Sequence, residues 1–450
     1  MKIMKFFKIG FLIVFIIGVV WWVFLPQQTI VVSPRAGLPF ISTQFNRLDI
    51  EYQKSVPFFK EDYKIYLKQP LNKKYYSLKI LEHNLNVNQG HIVAGLRGMP
   101  VGRYDLLLKY GDNKKTKNIG AVFIKAKITD DLKIIQIADL PKINEIKILK
   151  KIIGEINVIN PDVVLITGDL TYRKKSKSMK KLKKLLNRLN PPYIIAPGNH
   201  EYEDWHQYLK HYRKTRHINT FGNFVVTTLN SGHYRDQMTY SQLQWVKDEL
   251  KNHKNKTIFW QIHHSLFGIW SLKNLQQELV SLIEQYQSPF VVSGHNHADD
   301  VFDKAGKKRS KEWDFDGTKY IITTTAGRDL RPKIGSCSPH YGYRLLRIKN
   351  RKLINYTYDY DGDGTREPSC SVEFNNIKVS YPDLNQIKII NNSNESFKKA
   401  MVSISYDGDR DKKTDIGEII YKYTTEKSTY FFIEFDLPKK STVFINLTDL

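Results

Sequence analysis

The stretch PDVVLITGD, residues 161–169, decides the fold of this chain, because it is a continuous apolar run that ends in Gly-Asp. Strands that are buried on both faces are apolar throughout, as in the parallel sheets of α/β proteins. Outward from this stretch, the chain repeats the order strand, helix, strand. The other runs of this kind are LKIIQIAD (132–139), YIIAPG (193–198), TIFWQIHH (257–264) and FVVSGHNH (290–297). The repetition predicts an α/β fold with largely buried strands.

Four amphipathic segments separate these runs. Residues 143–159 have apolar side chains at helical spacing, and residues 176–189 form a very basic segment whose leucines recur on one side. Two further helices are predicted near 241–252 and 272–286. The apolar positions of the first helix are Ile146, Leu149, Ile152, Ile153 and Ile156.

Residues that can bind a metal ion follow each of the apolar runs. They are Asp139, Asp169, Asn199, His200, Glu201, His263, His264, His295 and His297. The carboxyl ends of strands in an open α/β sheet face one crevice, so these side chains should converge. Carboxylate and imidazole ligands without thiolates suit Mn, Fe or Zn and argue against a structural zinc site. The set predicts two divalent or mixed-valence ions whose shared hydroxide attacks a phosphate ester in line.

The order of the segments resembles the calcineurin-like metallophosphoesterases, whose pattern is D-x-H, GD, GNH[DE], H and GHxH. The resemblance covers about residues 132–358. It implies a four-layer α/β/β/α sandwich. It also implies two ligand sets, Asp139, Asp169 and His297 for the first metal, and Asp169 (bridging), Asn199, His263 and His295 for the second.

The same resemblance implies roles for the residues near the phosphate. His200 would protonate the leaving group or stabilise the transition state, and Glu201 would orient His200. Asn199 and His200 would contact the substrate. Arg328, which follows the GHNH segment, is a candidate phosphate contact.

The first metal site departs from the family pattern. Where the family has the His of D-x-H, this chain has Pro141, which cannot bind a metal. Tyr172 gives the segment GDLTY, which resembles the GD-x-x-Y of the purple acid phosphatases, whose tyrosinate binds ferric iron. Their first motif, however, has Gly where Pro141 stands. Three alternatives stay open at this point, namely Tyr172 as a ligand, a weakly filled or one-metal site, and a ligand from elsewhere in the chain.

Short alternating runs flank the α/β region on both sides. They predict an N-terminal β-sandwich at 28–128 and a small β-rich C-terminal domain at 375–450, also of sandwich type. The metallophosphoesterase domain would then span 129–374. No ligand-type cluster appears in the N-terminal β-sandwich, so no chemistry is assigned to it.

The N-terminus, residues 1–27, predicts a membrane anchor. Residues 9–25 are free of charge, about the shortest length that spans a bilayer as a helix. Lys2, Lys5 and Lys8 precede this span, which predicts that the rest of the chain lies outside the cytoplasm. A secreted protein with a cleaved signal peptide is the alternative.

Composition restricts the function less than the motifs do. The chain has 70 Lys and Arg against 45 Asp and Glu, a formal charge of +25, and a dense basic run at 173–184. This balance suits phosphorylated substrates or an anionic surface, but no aromatic platform or nucleic-acid motif accompanies the basic run, so nucleic acid is not the expected partner. The sequence does not indicate an oligomeric state.

Two smaller features remain. Cys337 and Cys370 could form one disulfide if the protein is exported. Asp359, Asp361 and Asp363 begin a D-x-D-x-DG pattern, a candidate calcium loop whose twelfth position is Cys370 instead of Glu. An acidic turn without calcium is the other interpretation.

Together these features predict a metal-dependent hydrolase of phosphate monoesters or diesters. The alternatives are a non-catalytic surface binding protein on a degenerate phosphoesterase scaffold, for which Pro141 is the best argument, and a nuclease. The loops around the crevice, including residues 202–240 and 298–318, would select the substrate.

Overall fold

The computed structural model describes residues 28–449 except 45, 56–61, 71–73, 112–113, 143–145, 172–175, 310–314, 333, 360–362 and 364–369. The predicted anchor at 9–25, Tyr172 and Asp361 therefore lie outside the described residues. The helices are α1 (Lys147–Ile159), α2 (Ser176–Leu186), α3 (Trp205–Tyr212), α4 (Tyr240–Leu250) and α5 (Gln276–Gln285), with short 3-10 helices at His200–Asp204 and Lys251–His253.

The N-terminal region forms two sheets that share one apolar core. Its strands are β1 (Thr29–Ser33), β2 (Phe40–Thr43), β3 (Arg47–Lys54), β4 (Tyr63–Lys68), β5 (Tyr75–Leu78), β6 (Ile80–Asn86), β7 (Gln89–Gly95), β8 (Gly102–Tyr110) and β9 (Lys114–Lys125). The strand orders are β1-β3-β7-β6 and β2-β9-β8-β4-β5. In β3, exposed and buried residues alternate, so Leu48, Ile50 and Tyr52 point into the core between the sheets.

The central region contains two six-stranded sheets. Its strands are β10 (Leu132–Ile137), β11 (Val163–Thr167), β12 (Tyr193–Ala196), β13 (His217–Phe221), β14 (Phe224–Thr228), β15 (Thr257–Gln261), β16 (Phe290–Ser293), β17 (Asp300–Phe302), β18 (Lys319–Ile322), β19 (Gly342–Lys349), β20 (Lys352–Asn355) and β21 (Val372–Glu373). One sheet has the order β12-β11-β10-β19-β20 with β21 beside β19, and the other has β13-β14-β15-β16-β18-β17. Strands β10 to β12 are parallel, as are β14, β15, β16 and β18.

Three apolar cores hold these two sheets and their helices together. Ile134 and Leu165 of one sheet share a core with Phe259 and Val292 of the other, so the sheets face each other. Helices α1 and α2 pack on the first sheet, and α4 and α5 pack on the second. The predicted mixed α/β fold is confirmed, with both faces of its parallel strands covered.

The C-terminal region adds two further sheets. Its strands are β22 (Ile377–Asp383), β23 (Gln386–Asn391), β24 (Phe397–Asp407), β25 (Lys412–Thr414), β26 (Glu418–Thr424), β27 (Ser428–Leu437) and β28 (Ser441–Asp449). The orders are β22-β23-β28-β25 and β24-β27-β26. Their buried side chains, such as Phe397 and Ile433, belong to the same core as Ile152 and Ile156 of α1. The C-terminal sheets are therefore packed directly on the central region.

The transmembrane helix that the sequence predicted is not supported by the structure. In the part of the chain that the structure describes, no helix is both long and apolar enough to cross a membrane. The apolar run at 9–25, on which the expectation was based, lies outside that part. The transmembrane helix is therefore withdrawn.

The structure contains the disulfide that the sequence left conditional on export. Cys337 and Cys370 are bonded, with their Cα atoms 5.5 Å apart, and they join positions 33 residues apart in sequence. The bond links the loop after β18 to the start of β21. This loop carries Asp329 and Arg331, which lie beside the site described next.

Candidate metal centre

The two central sheets bring the predicted ligands to one place. Asp139 follows β10, Asp169 follows β11 and Asn199 follows β12, all on the first sheet. His263 follows β15, and His295 and His297 follow β16, on the second sheet. Because the two sheets face each other, the ends of these strands meet, as the sequence predicted from the carboxyl-end rule.

Four of these side chains form one contact network. Nε2 of His263 lies 3.3 Å from Oδ1 of Asp169 and 2.9 Å from Oδ1 of Asn199. Nδ1 of His295 lies 3.0 Å from the same Asn199 oxygen and 3.2 Å from Nε2 of His263. These are the residues expected to bind the second metal.

Asp139 and His297 form the neighbouring half of the cluster. Oδ2 of Asp139 accepts the backbone N–H of His295 at 2.9 Å. Its other oxygen, Oδ1, is buried and accepts no hydrogen bond among the described residues, with Nε2 of His297 3.4 Å away. Ligand atoms of Asp139, Asp169 and His263 all lie within 4.8 Å of one another. A buried carboxylate oxygen that accepts no hydrogen bond and faces an imidazole nitrogen fits a bound cation.

Hydrogen bonds orient two of the histidines towards these carboxylates. Nδ1 of His263 contacts the carbonyl of Thr167 at 2.8 Å, and Nδ1 of His297 contacts that of Asp329 at 2.6 Å. Each contact assigns the proton to Nδ1 and leaves Nε2 facing the cluster as a potential ligand.

Two groups of the cluster, Asp139 and His295, have the charge state that a metal ligand requires. Burial alone would raise the pKa of the Asp139 carboxyl, but His297, His263 and His295 hold that pKa below its ordinary value. Burial, together with the neighbouring His263, lowers the pKa of His295 to about 3. At neutral pH the carboxylate is thus ionised and the His295 imidazole is neutral, the forms in which both groups bind cations.

The backbone at the cluster is unusual. Asp139, Asp169, His295 and His297 all have positive φ, between 51° and 71°. Non-glycine residues seldom adopt this conformation, and it is concentrated at functional sites. Position 198 requires a glycine because the backbone there passes close to Asp169, and a Cβ would stand 2.3 Å from both N and Oδ1 of Asp169.

The carboxylate that contacts the His200 ring belongs to Glu203, whereas the sequence analysis expected Glu201. Nδ1 of His200 lies 2.6 Å from Oε1 of Glu203, while Nε2 points towards Oδ2 of Asp169 at 3.7 Å. Glu201 is instead fully buried and accepts backbone N–H groups, including those of Asp169 at 2.9 Å and Gly198 at 2.6 Å. Burial, reinforced by Asp169, raises the pKa of Glu201 to about 7. Glu201 therefore fixes the loops that carry the cluster, and Glu203 is the residue positioned to orient His200.

Glu203→Gln is expected to lower kcat for phosphate ester hydrolysis about tenfold or more with little change in KM. The amide keeps the shape of the carboxylate but removes the negative charge that holds and stabilises the His200 imidazole. The expected loss is therefore a fraction of the rate enhancement that a positioned acid or base contributes. Steady-state kinetics on p-nitrophenyl phosphate measures the effect. Asp204→Asn, on the same 3-10 helix, is the matched control and should leave kcat within about twofold. Equal kcat in Glu203→Gln and the native protein would contradict this role.

Two further groups lie next to the cluster, namely His264, to which the sequence assigned no separate role, and the pair of Trp270 and Arg331, which the sequence did not indicate. His264 is buried, and its Nδ1 lies 2.8 Å from Oγ of Ser231. The guanidinium of Arg331 stacks over the ring of Trp270 at 4.2 Å, and that ring lies 6.2 Å from the His295 ring. Neither Trp270 nor Arg331 belongs to a recognisable motif, and only the folded loops bring them together.

The remaining candidate residues are placed as follows. Arg328 is buried, and its backbone N–H donates to Oγ1 of Thr325, which in turn donates to the carbonyl of Asp139. Its role as a phosphate contact stays a prediction. Tyr172 as a ligand and the calcium loop, which needs Asp361, also stay predictions, because both residues lie outside the described part of the chain.

The fold and the cluster together define a candidate metal centre. Comparison with known families agrees, since residues 132–299 match the family model described as calcineurin-like phosphoesterase. The resemblance predicted from the sequence is confirmed over this part of the chain. The family binds divalent metals, as the Asp, Asn and His cluster requires.

Comparison with solved structures and curated proteins adds little. TT1561 of Thermus thermophilus is similar at 13% identity and a TM-score of 0.34, covering 49% of this chain and 96% of its own. A cycloisomaltooligosaccharide glucanotransferase of Paenibacillus sp., complexed with cycloisomaltoheptaose, is similar at 8% identity and a TM-score of 0.19, covering 94% of this chain and 71% of its own. Both TM-scores lie below 0.5, so these likenesses do not bear on function. No curated protein matches the chain significantly.

Proposed function

We infer that this protein hydrolyses phosphate esters, monoesters or diesters, at a centre of two divalent cations. The observation that carries the proposal is the buried cluster in which Oδ1 of Asp139 accepts no hydrogen bond from the described residues and lies 3.4 Å from Nε2 of His297. Asp139, Asp169 and His297 would hold one cation. Asp169, Asn199, His263 and His295 would hold the other.

Cations bound there would polarise the phosphoryl oxygens and lower the pKa of a water molecule. The chain's own residues supply the remaining functions. Asn199, within the cluster, and His200, beside Asp169, would contact the phosphate. His200, held by Glu203, would give its Nε2 proton to the oxygen of the departing alcohol.

The layered arrangement and the location of the protein are proposals of the same kind. We propose that the central region is a four-layer α/β/β/α sandwich, that the flanking sheets form β-sandwich domains, and that the protein works outside the cytoplasm. The Cys337–Cys370 disulfide supports the location, because disulfides persist mainly in oxidising compartments.

Metal removal and replacement tests the proposed function. Chelation should abolish the turnover of p-nitrophenyl phosphate and bis-p-nitrophenyl phosphate, and Mn, Fe or Zn should restore it. Two bound metals per chain without turnover of either ester would favour the non-catalytic binding protein. Salt-dependent binding of nucleic acid, lost when the lysines at 174–184 are neutralised, would favour the nuclease.

Tyr172→Phe tests the incomplete first site. If Tyr172 takes the place of the missing D-x-H histidine, the iron-loaded native protein should show a visible tyrosinate-to-iron band. The variant should lose that band and bind about one iron per chain instead of two. Absorption spectra with metal analysis measure both effects, and Tyr240→Phe, at an exposed position on α4, is the control. A native protein that binds two metals and shows no such band would remove Tyr172 from the ligand set.

A further inference from the structure

A cleft of about 1050 Å³ lies at the opposite ends of the strands that carry the metal-type cluster. Its lining includes Leu132 and Lys133 at the start of β10, residues 160–162 before β11 and residues 190–192 before β12. A strand of six residues spans about 20 Å, so the cleft is separate from the proposed catalytic centre.

All three regions of the chain contribute to this cleft. Gly102 and Arg103 come from β8, and residues 123–125 come from β9. Strands β24, β26 and β27 supply the C-terminal part of the lining. The volume is at the upper end of the roughly 300–1,000 Å³ typical of small-molecule sites, so the cleft suits an extended ligand.

One wall of the cleft is aromatic. Tyr421 and Tyr423 on β26 and Tyr430 and Phe432 on β27 line it, and all four are half-exposed. The ring centroids of Tyr423 and Phe432 are 5.7 Å apart with an interplanar angle of 88°, and those of Tyr421 and Phe432 are 6.2 Å apart at 77°. Half-exposed rings with hydroxyl groups can contact an apolar face of a ligand and its polar rim together.

The rest of the lining is cationic. It contains eight Lys and Arg side chains against three Asp and Glu side chains. Two of the eight, Arg347 and Lys398, pair with Glu395 and Asp436 outside the lining. Burial lowers the pKa of Lys133 to about 7, so the excess rests on the remaining side chains. Lys127, Lys349 and Lys399 are exposed along it, while Lys125 is paired with Asp162 at 2.6 Å. This excess of positive charge favours a ligand that carries negative charge.

We propose that the cleft binds a segment of an anionic polysaccharide. Sugar rings present C–H faces that pack on aromatic rings, and their hydroxyl groups match the amide of Asn160 and the hydroxyl of Ser403 in the same lining. The carboxylate or sulfate groups of the chain would meet the lysines. Single-stranded nucleic acid is the other polyanion that the test separates, because Tyr421 and Tyr423, whose ring planes lie 27° apart, could also stack on bases.

Binding of defined oligomers tests the proposal. Calorimetry or tyrosine fluorescence would compare a galacturonic acid hexamer with a neutral hexamer of glucose and with a ten-residue oligothymidylate. The acidic sugar should bind best, and its affinity should fall as salt rises. Equal affinity for the neutral hexamer, or tighter binding of the oligothymidylate, would overturn the proposal.

Substitutions in the cleft test whether the acidic hexamer binds there. Tyr421→Ala with Tyr423→Ala should weaken binding of the acidic hexamer about tenfold or more, and Lys349→Glu with Lys399→Glu should weaken it comparably. Tyr421→Phe with Tyr423→Phe, and Lys254→Glu with Lys413→Glu at exposed sites outside the cleft, are the matched controls and should keep most of the affinity. Unchanged affinity in both cleft variants would overturn the proposal. Turnover of p-nitrophenyl phosphate should stay within about twofold in every variant, so this test is independent of the proposed catalytic function.

Discussion

Asp169→Asn is expected to lower kcat/KM for p-nitrophenyl phosphate by about 1,000-fold or more, which corresponds to roughly 4 kcal/mol of transition-state stabilisation. Asp169 is buried, and its two oxygens face Nε2 of His263 and Nε2 of His200. The substitution keeps the size of the side chain and an oxygen that can accept the His200 backbone N–H, which Oδ1 now accepts at 3.0 Å. It removes the negative charge that both proposed cations would share.

Metal analysis and circular dichroism accompany the kinetics of this variant. We expect fewer bound metal ions with an unchanged fold. Asp248→Asn, at an exposed position on α4, removes the same charge far from the cluster and should leave activity within about twofold. A loss smaller than tenfold in folded Asp169→Asn would contradict the bridging role of this carboxylate.

Much of the central fold could be predicted from the sequence because its signals are local. The helix predicted at 143–159 is observed as α1 at Lys147–Ile159, and Leu149, Ile152, Ile153 and Ile156 are buried as the 3.6-residue period requires. Buried parallel strands are apolar throughout, so VVLIT and FVVS were recognisable without knowledge of their partners. Helix ends shifted by a few residues, since capping depends on contacts beyond the helix.

The ligand cluster was predictable for a related reason. Asp139, Asp169, Asn199, His263, His295 and His297 all come shortly after the ends of strands, so the sheets largely fix their position. Glu203 could not be assigned in this way, because Glu201 and Glu203 are two residues apart and the sequence does not show which one faces His200. The 3-10 turn at His200–Asp204 brings residue i+3 back to residue i, which favours Glu203.

Contacts between loops that are distant in the chain could not be predicted from the sequence. The pairing of Arg331 with Trp270 and the cleft between β8, β9, β26 and β27 depend on how separate regions pack. The membrane helix failed as a prediction for a different reason. The length of a charge-free run and the lysines before it were the basis of that prediction, and no helix of the described chain is long and apolar enough to cross a membrane.

His200→Ala is expected to lower kcat by about 100- to 10,000-fold, the range that a positioned proton donor or acceptor contributes. The loss should depend on the leaving group. Phenyl phosphate releases a more basic oxyanion than p-nitrophenyl phosphate, so it depends more on a proton from Nε2 of His200 and should lose more activity. Metal content should be unchanged, because His200 is not among the proposed ligands.

His206→Ala, at an exposed position on α3 next to the same 3-10 helix, is the matched control and should behave like the native protein. An equal loss for the two esters would mean that His200 stabilises charge in the transition state instead of donating a proton. Activity within a few-fold of native in His200→Ala would remove His200 from the mechanism. In that case the contact between Nδ1 of His200 and Glu203 would have a structural role only.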